Sequence, residues 1–362
     1  LERAVVSGDP YVIAEAGVNH NGSVDRALSM VDVAAEAGAD AVKFQTFTAT
    51  AMIAAHAPKA DYQVQATGSG QSQQEMIAAL ELSADAHRLL RDRCAERGIE
   101  FLSTPFDYGS LVLLVDGLGM QTIKVPSGEV TNAPFLLEVG RRAQRVILST
   151  GMCTLDEVRA ALKVLSFAFD ASRDGVPDRA TVASPLDDAD RARLNGRVIV
   201  LQCTTEYPAP IAEANLRAMA EMHDAFGLPV GYSDHTIGSV AAVAAVALGA
   251  TMVEKHFTLD RTLPGPDHAA SLEPDELAAY VSAVRDARAA LGSPVKVPSA
   301  SETKNIPIAR KSVVASRPIT AGEILGPDNM TTKRPATGRD PFDYFELLGT
   351  VASRDYATDE LL

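Results

Sequence analysis

Short apolar runs with a two-residue period alternate with stretches of helical period along most of the chain. The runs are YVIAEAG, AVKFQT, EFLSTPF, TIKVPSGE, RVILSTGM, VIVLQCTTEY, PVGYSDHT and MVEKHFT. Between them, SVDRALSMVDVAAEAG, SADAHRLLRDRCAERG, TLDEVRAALKVL and GSVAAVAAVALGA read as amphipathic or buried helices. The first three open with Ser or Thr ahead of an acidic first turn, as an N-cap does, and the first two close on Gly. Eight strand–helix repeats predict an α/β fold, a (β/α)8 barrel. A doubly wound sheet is the alternative. It would place a GxGxxG turn after the first strand, and AEAGVNHNG does not have that form.

A barrel of this kind carries its active site at the C-terminal ends of its strands. The runs end on Glu15, on Lys43 and Gln45, on Thr104, on Lys124, Ser127 and Glu129, on Ser149, on Thr205 and Tyr207, on Ser233 and His235, and on Glu254 and His256. Side chains alternate faces along a strand, so Lys43 shares a face with Gln45, Ser233 with His235, and Glu254 with His256. The run ending in Glu254, Lys255 and His256 is the sharpest case, because burying such groups without partners costs several kcal/mol each. Two long connections interrupt the pattern. Residues 46–83 follow the second strand on the active face and read as a lid. Residues 168–197 precede the sixth strand on the opposite face and read as a solvated insertion. We assign residues 1–292 to the barrel, 293–305, rich in Pro and Ser, to a linker, and 306–362 to a small β-rich module.

Composition narrows the function. Apolar residues make up 46% and charged residues 22% of the 362, the balance of a globular protein. The net charge of −14 argues against nucleic acid and anionic membranes as partners. An anionic substrate would therefore need a site that is basic against the global field. No apolar stretch is long enough to span a bilayer, and no signal-peptide pattern is read at the start. Cys94, Cys153 and Cys203 form no disulfide framework and fit a reducing cytoplasm.

The strand ends suggest the chemistry. His235 and His256 end neighbouring strands and could hold one divalent metal with coordination positions left open; Mn²⁺ or a similar octahedral ion suits such a site better than structural zinc. His20, in NHNG, is a further candidate. Lys43 and Lys124 read either as a Schiff-base lysine with a bystander or as a pair of anion clamps. Thr104, Ser127, Ser149 and Ser233 lie at the same level and could add donors to a phosphate. Glu15, Glu129 and Glu254 are acid–base candidates.

Taken in order, AEAGVNHNG, AVKFQTF, FLSTPFD, IKVPSGE, ILSTGM, YSDHT, VEKHFTLD and GPDH resemble the sialic acid synthase family, the N-acetylneuraminate synthases with their legionaminate and pseudaminate relatives. The tail, with ARKSVVA, ITAGEIL and KRPATG, resembles the antifreeze-like SAF domain of these enzymes. The resemblance implies a TIM barrel followed by an SAF domain. It also implies condensation of phosphoenolpyruvate with an N-acetylmannosamine-type sugar, releasing phosphate. It further implies Mn²⁺, Mg²⁺ or Co²⁺, and a domain-swapped homodimer in which one chain's SAF domain covers the other's barrel mouth. By position, His235 and His256 match metal ligands. Lys43, Thr104, Lys124, Ser127, Ser149, Thr205 and Ser233 match phosphoenolpyruvate contacts. Glu15, Gln45, Glu129, Tyr207, Glu254 and Asp267 match groups facing the sugar or the reacting centre, with Glu15 the first choice of base and Glu129 the second. Arg334 matches an arginine reaching across the dimer to the N-acyl group. Two positions depart from the pattern: Thr205 stands where several relatives have Asn, and KRPATG lacks the Gly that often follows KRP. The expected activity is N-acetylneuraminate synthesis in the cytoplasm, with legionaminate synthesis from 2,4-diacetamido-2,4,6-trideoxymannose as the alternative. A Schiff-base keto-acid lyase and a non-enzymatic SAF-type binding protein are more distant readings.

Overall fold

The computed structural model describes residues 9–59, 64, 70 and 72–362. The first 292 residues form one compact unit and Ser293–Leu362 a second. In the first, eight parallel strands are hydrogen-bonded in the order β3-β2-β1-β8-β7-β6-β5-β4. They are β1 (Tyr11–Gly17), β2 (Ala41–Thr46), β3 (Glu100–Pro105), β4 (Thr122–Val125), β5 (Arg145–Ser149), β6 (Val198–Cys203), β7 (Val230–Asp234) and β8 (Met252–His256). β3 and β4, the two ends of that order, lie against each other and complete the barrel. The principal helices between and after the strands are α1 (Val24–Glu36), α2 (Ala84–Arg97), α3 (Tyr108–Val112), α4 (Ala133–Arg142), α5 (Leu155–Ala168), α6 (Ala218–Phe226), α7 (Val240–Ala247) and α8 (Pro274–Leu291). Local chemistry sets their boundaries. Ser23 and Ser83 accept from Arg26 N and Ala86 N, Thr154 and Glu157 form a capping box, and Gly98 ends α2 in the left-handed region.

The two-residue period sorts each strand into two faces. Val12, Ala14, Val42, Val146, Val200 and Val253 point outward and join the helices in the main core. Tyr11, Ile13, Ala41, Leu102, Ile147, Ile199, Leu201 and Met252 point inward and fill the lower barrel. One position further along each strand the inward set turns polar, so the upper layer is chemically distinct from the two below it. Gly231 belongs to this crowded interior. A Cβ there would lie 2.5 Å from the Met252 carbonyl oxygen and 2.6 Å from Leu201 Cδ2.

The candidate lid falls partly outside the described residues. Of its described parts, Ala49–Met52 and Gln73–Ala78 are helical, and Ala49, Ile53, Met76, Ile77 and Leu80 pack with Val18 and Phe47. The insertion before β6 corrects the sequence reading in part. Much of it is exposed, but Asp190 and Leu194 are buried. The carboxylate of Asp190 accepts from Lys163 at 2.5 Å and Ser166 at 2.7 Å on α5, which docks the segment onto the barrel wall. In the C-terminal unit, β9 (Ser312–Ala315) pairs antiparallel with β10 (Met330–Lys333). Val313, Ala315, Ile319, Leu325, Met330 and Ala352 form its core.

Gly231→Ala tests the packing of the lower barrel. Overpacking of this kind costs roughly 1–3 kcal/mol, so the urea midpoint is expected to fall; an unchanged midpoint would mean that the interior can absorb the methyl group.

Candidate active site

The polar upper layer lines one cavity of about 280 Å³. Glu15, Lys43, Thr104, Lys124, Ser149, Ser233 and Glu254 reach it from the strands, and Gln45, Ser127, Thr205, Tyr207, His235, His256 and Asp267 join them toward the mouth. The strand-face pairings expected from the sequence therefore meet in one space. Gly17 ends β1 with φ +52°, and a side chain there would press on Glu15 Oε1, Gln45 Nε2 and His256 Cε1, all within 3.5 Å.

Four buried charges form its floor. Lys43 pairs with Glu15, lies 3.5 Å from Glu254 Oε2 and donates to Thr104 Oγ1 at 3.0 Å. Lys124 Nζ lies 3.2 Å from Glu254 Oε1, which also accepts from Ser233 Oγ at 2.9 Å. Burial pushes the Glu15 carboxyl up to about 7 even against the pull of Lys43. Burial also opposes charge on Glu254, yet the Lys124 and Lys43 ammoniums hold that carboxyl well below the usual range. Burial lowers Lys124; for Lys43 the nearby Glu15 and Glu254 outweigh it and keep the amine high. Near neutral pH, Glu15 is thus able to gain or lose a proton.

Around this floor, buried polar atoms lack hydrogen-bond partners: Ser149 Oγ, Thr205 Oγ1 and His256 Nδ1. Each is costly to leave so in a folded chain unless a ligand or water meets it. Gly151 N donates to Ser127 Oγ at 2.7 Å. A Cβ on Gly151 would come within 2.3 Å of Thr205 Oγ1 and 3.0 Å of Ser127 Oγ, so glycine keeps this cradle open.

The histidine pair suits a divalent ion. His235 Nδ1 donates to the Thr204 carbonyl at 2.7 Å, so the neutral ring carries its lone pair on Nε2, 3.5 Å from Ser233 Oγ. Burial disfavours charge on this ring, but the Cys203 thiol, the Thr204 carbonyl and Glu254 outweigh it and raise its proton affinity in the ligand-free chain. Burial drives His256 well below its ordinary range, so it is neutral. The two rings lie 5.5 Å apart between centroids. Asp267 Oδ2 is 3.9 Å from His256 Nδ1, and burial raises that carboxyl to about 6. Among the described residues no group of three or more His, Cys, Asp or Glu is arranged to hold a metal. The chain thus offers a two-nitrogen site whose other positions would fall to water or substrate.

Some expected residues lie elsewhere. Glu129 sits in the turn after β4, where Asn132, the cap of α4, donates to its carboxylate at 2.6 Å; it does not line the cavity. His20 is buried in the β1–α1 turn, its Nδ1 accepting from Gly22 N at 3.0 Å. Arg334 is exposed in the C-terminal unit, on a loop held by Ser312 Oγ, which donates to the Pro335 carbonyl at 2.8 Å and accepts from Gly338 N at 2.9 Å. Cys203 lines the cavity with Sγ 3.7 Å from His235 Nδ1, and the two-residue period from Leu201 to Thr205 would have placed it there. Val18, Met52, Ile77, Phe106 and Met152 add an apolar wall that strand-end reasoning does not reach.

Comparison with known proteins identifies the family. Residues 30–296 match the NeuB family and residues 310–362 the SAF domain. The chain is 46% identical over 351 residues to the N,N'-diacetyllegionaminic acid synthase of Campylobacter jejuni, covering 97% of this chain and 98% of that protein. It is 40% identical over 352 residues to the enzyme of the same name from Legionella pneumophila, covering 97% and 93%. The crystal structure of the N-acetylneuraminic acid synthetase of Leptospira borgpetersenii superposes with a TM-score of 0.64 at 31% identity, covering 82% of this chain and 90% of that one. The chain belongs to the NeuB family of sialic, legionaminic and pseudaminic acid synthases. It is an enzyme of that type, a (β/α)8 barrel with a C-terminal SAF domain.

The quartet makes a specific electrostatic prediction. Carboxyl ¹³C NMR should show Glu15 titrating near 7 in the ligand-free protein, and Lys43→Met should move that midpoint higher, because it removes the cation that favours the carboxylate. A midpoint that stays put in the variant would show that Lys43 does not set the charge of Glu15.

Proposed function

We propose that the chain condenses phosphoenolpyruvate with 2,4-diacetamido-2,4,6-trideoxymannose and water to give N,N'-diacetyllegionaminate and phosphate. The observation that carries the synthase reading is the single cavity in which two buried lysines, unpartnered hydroxyls and two neighbouring histidines converge. A Schiff-base lysine would use one of these groups and leave the others without a task. The acceptor is chosen by similarity. Identity is 46% and 40% to two diacetyllegionaminic acid synthases, against 31% to the N-acetylneuraminic acid synthetase of known structure. This similarity supports legionaminate over the N-acetylneuraminate expected from the sequence motifs. The apolar wall of Met52 and Ile77 suits an acceptor with a methyl group in place of a hydroxymethyl.

In this reading Lys43 and Lys124 hold the anionic groups of phosphoenolpyruvate, with the Ser127, Ser149 and Thr205 hydroxyls as further donors. Gln45, Tyr207 and Asp267 face the acceptor. His235 and His256 would hold the divalent ion, Mn²⁺ before Mg²⁺ or Co²⁺, which when bound supplies Lewis-acid polarisation of the acceptor's carbonyl. C3 of phosphoenolpyruvate bonds to the acceptor's carbonyl carbon, whose oxygen takes up a proton, and C2 is left cationic. Glu15, with a proton affinity near neutrality, takes the proton from the water that then adds to C2. Collapse of that adduct expels phosphate by C–O cleavage. Glu129, outside the cavity, falls behind Glu15 as base. We further propose a homodimer in which the SAF domain of one chain covers the other's barrel mouth and brings Arg334 to an N-acyl group. Three free thiols support a cytoplasmic setting. No helix among the described residues is long and apolar enough to cross a membrane.

Phosphate release from phosphoenolpyruvate with Mn²⁺ tests the reading. The diacetamido sugar should be preferred over N-acetylmannosamine, EDTA should abolish release, and Arg334→Ala should raise KM for the sugar more than it lowers kcat. Preference for N-acetylmannosamine would make the chain a sialic acid synthase, and full activity in EDTA would remove the ion from the mechanism.

A further inference from the structure

Of the three ionisable residues that end β8, Glu254 and His256 face the cavity and Lys255 does not. Lys255 is 1% exposed and lies on the outward face of the strand. Its register partner on β7 is Asp234, which is fully buried. Asp234 Oδ1 accepts from Thr236 N at 2.9 Å and Thr236 Oγ1 at 2.7 Å. Asp234 Oδ2 lies 3.2 Å from Lys255 Nζ and accepts from the Tyr280 hydroxyl of α8 at 3.3 Å. Lys255 also donates to the Thr236 carbonyl and lies 5.8 Å from the centre of the Tyr280 ring.

The place of this network matters more than its strength. The paired register of β7 and β8 ends at Asp234 and Lys255. His235 and His256 are the next residues, just past that last rung. From the residue before His256, one ammonium thus grips the residues on both sides of His235. A buried ion pair is no guarantee of stability, since apolar residues of similar volume often serve as well. Apolar residues cannot reproduce a directional tie from one cation to the Asp234 carboxylate and the Thr236 carbonyl.

We propose that Asp234 and Lys255 are positioning residues, whose buried pair, braced by Thr236 and Tyr280, sets the spacing and tilt of His235 and His256. The rings stand 5.5 Å apart between centroids at 61°. The inference rests on the reading of that pair as the seat of a divalent ion. It also explains why a strand whose inward face serves the cavity carries a third charge on its outward face.

The test is the double variant Asp234→Asn/Lys255→Met, which leaves no unpaired charge. Far-UV circular dichroism and cooperative unfolding should be retained. The Mn²⁺ dissociation constant, measured by electron paramagnetic resonance without substrates, should rise about 10–100-fold. Excess Mn²⁺ should restore part of kcat, with KM for phosphoenolpyruvate little changed. Mn²⁺ bound as tightly as by the wild type overturns the proposal. Should the double variant not fold, Tyr280→Phe removes one hydrogen bond to Asp234; it should weaken Mn²⁺ roughly threefold, and unchanged affinity again overturns the proposal. If the wild-type chain itself binds no Mn²⁺, the ion assignment fails separately. A crystal structure of the variant then decides: displaced or re-tilted rings support the positioning role, and rings kept at their spacing and angle overturn it.

Discussion

The site depends on mutual compensation among four charges inside the barrel. Lys43 lies between Glu15 and Glu254, and Glu254 lies between Lys43 and Lys124. None of the four could be buried alone, because each would face a desolvation cost of several kcal/mol without a partner. Together they neutralise one another in the ligand-free chain and still present two ammoniums to an incoming anion. This is how a chain of net charge −14 keeps a locally basic site. The apolar layers below, from Tyr11 and Met252 to Ile13 and Leu201, fix where those charges stand.

The arrangement separates binding from proton handling. Thr104 and Ser233 hydrogen-bond members of the quartet directly. Ser149 and Thr205 instead keep buried hydroxyl oxygens unpartnered, ready for a ligand. Glu15, raised by burial to about 7, is a group whose protonation can change at physiological pH. The histidine pair adjoins the quartet through Ser233, whose Oγ lies 3.5 Å from His235 Nε2 and donates to Glu254, and Tyr207 packs on the His235 ring at 4.2 Å between centroids.

Much of this was legible in the sequence because a parallel barrel obeys a simple rule: every second residue points inward, and the last inward residues line the site. That rule locates Lys43, Lys124, Ser233, Glu254 and both histidines without any structure. Beyond the strand ends it is weaker: Ser127, Thr205 and Tyr207 still reach the cavity, but Glu129 does not. Glu129 follows β4 by a turn, so its side chain is no longer on the strand's inward face, and it bonds the cap of α4 instead. The rule names the outward residues but not their partners. Asp234 meeting Lys255 depends on the relative register of β7 and β8, and Asp190 meeting Lys163 depends on how a long insertion folds back. Met52 and Ile77 come from the connection read as a lid on the active face; that segment's approach to the cavity was legible, but with no periodic pattern the residues that make it were not.

The central claim is that the two lysines of the polar layer are the anion clamps of the site. Isothermal titration of phosphoenolpyruvate into the metal-stripped wild type and Lys124→Met tests it most directly. The account predicts one binding site in the wild type and an affinity lower by about 30-fold or more in the variant, the scale of losing a buried charge-assisted contact. Equal affinity in both proteins would contradict it, and would mean that Lys124 serves only to balance Glu254.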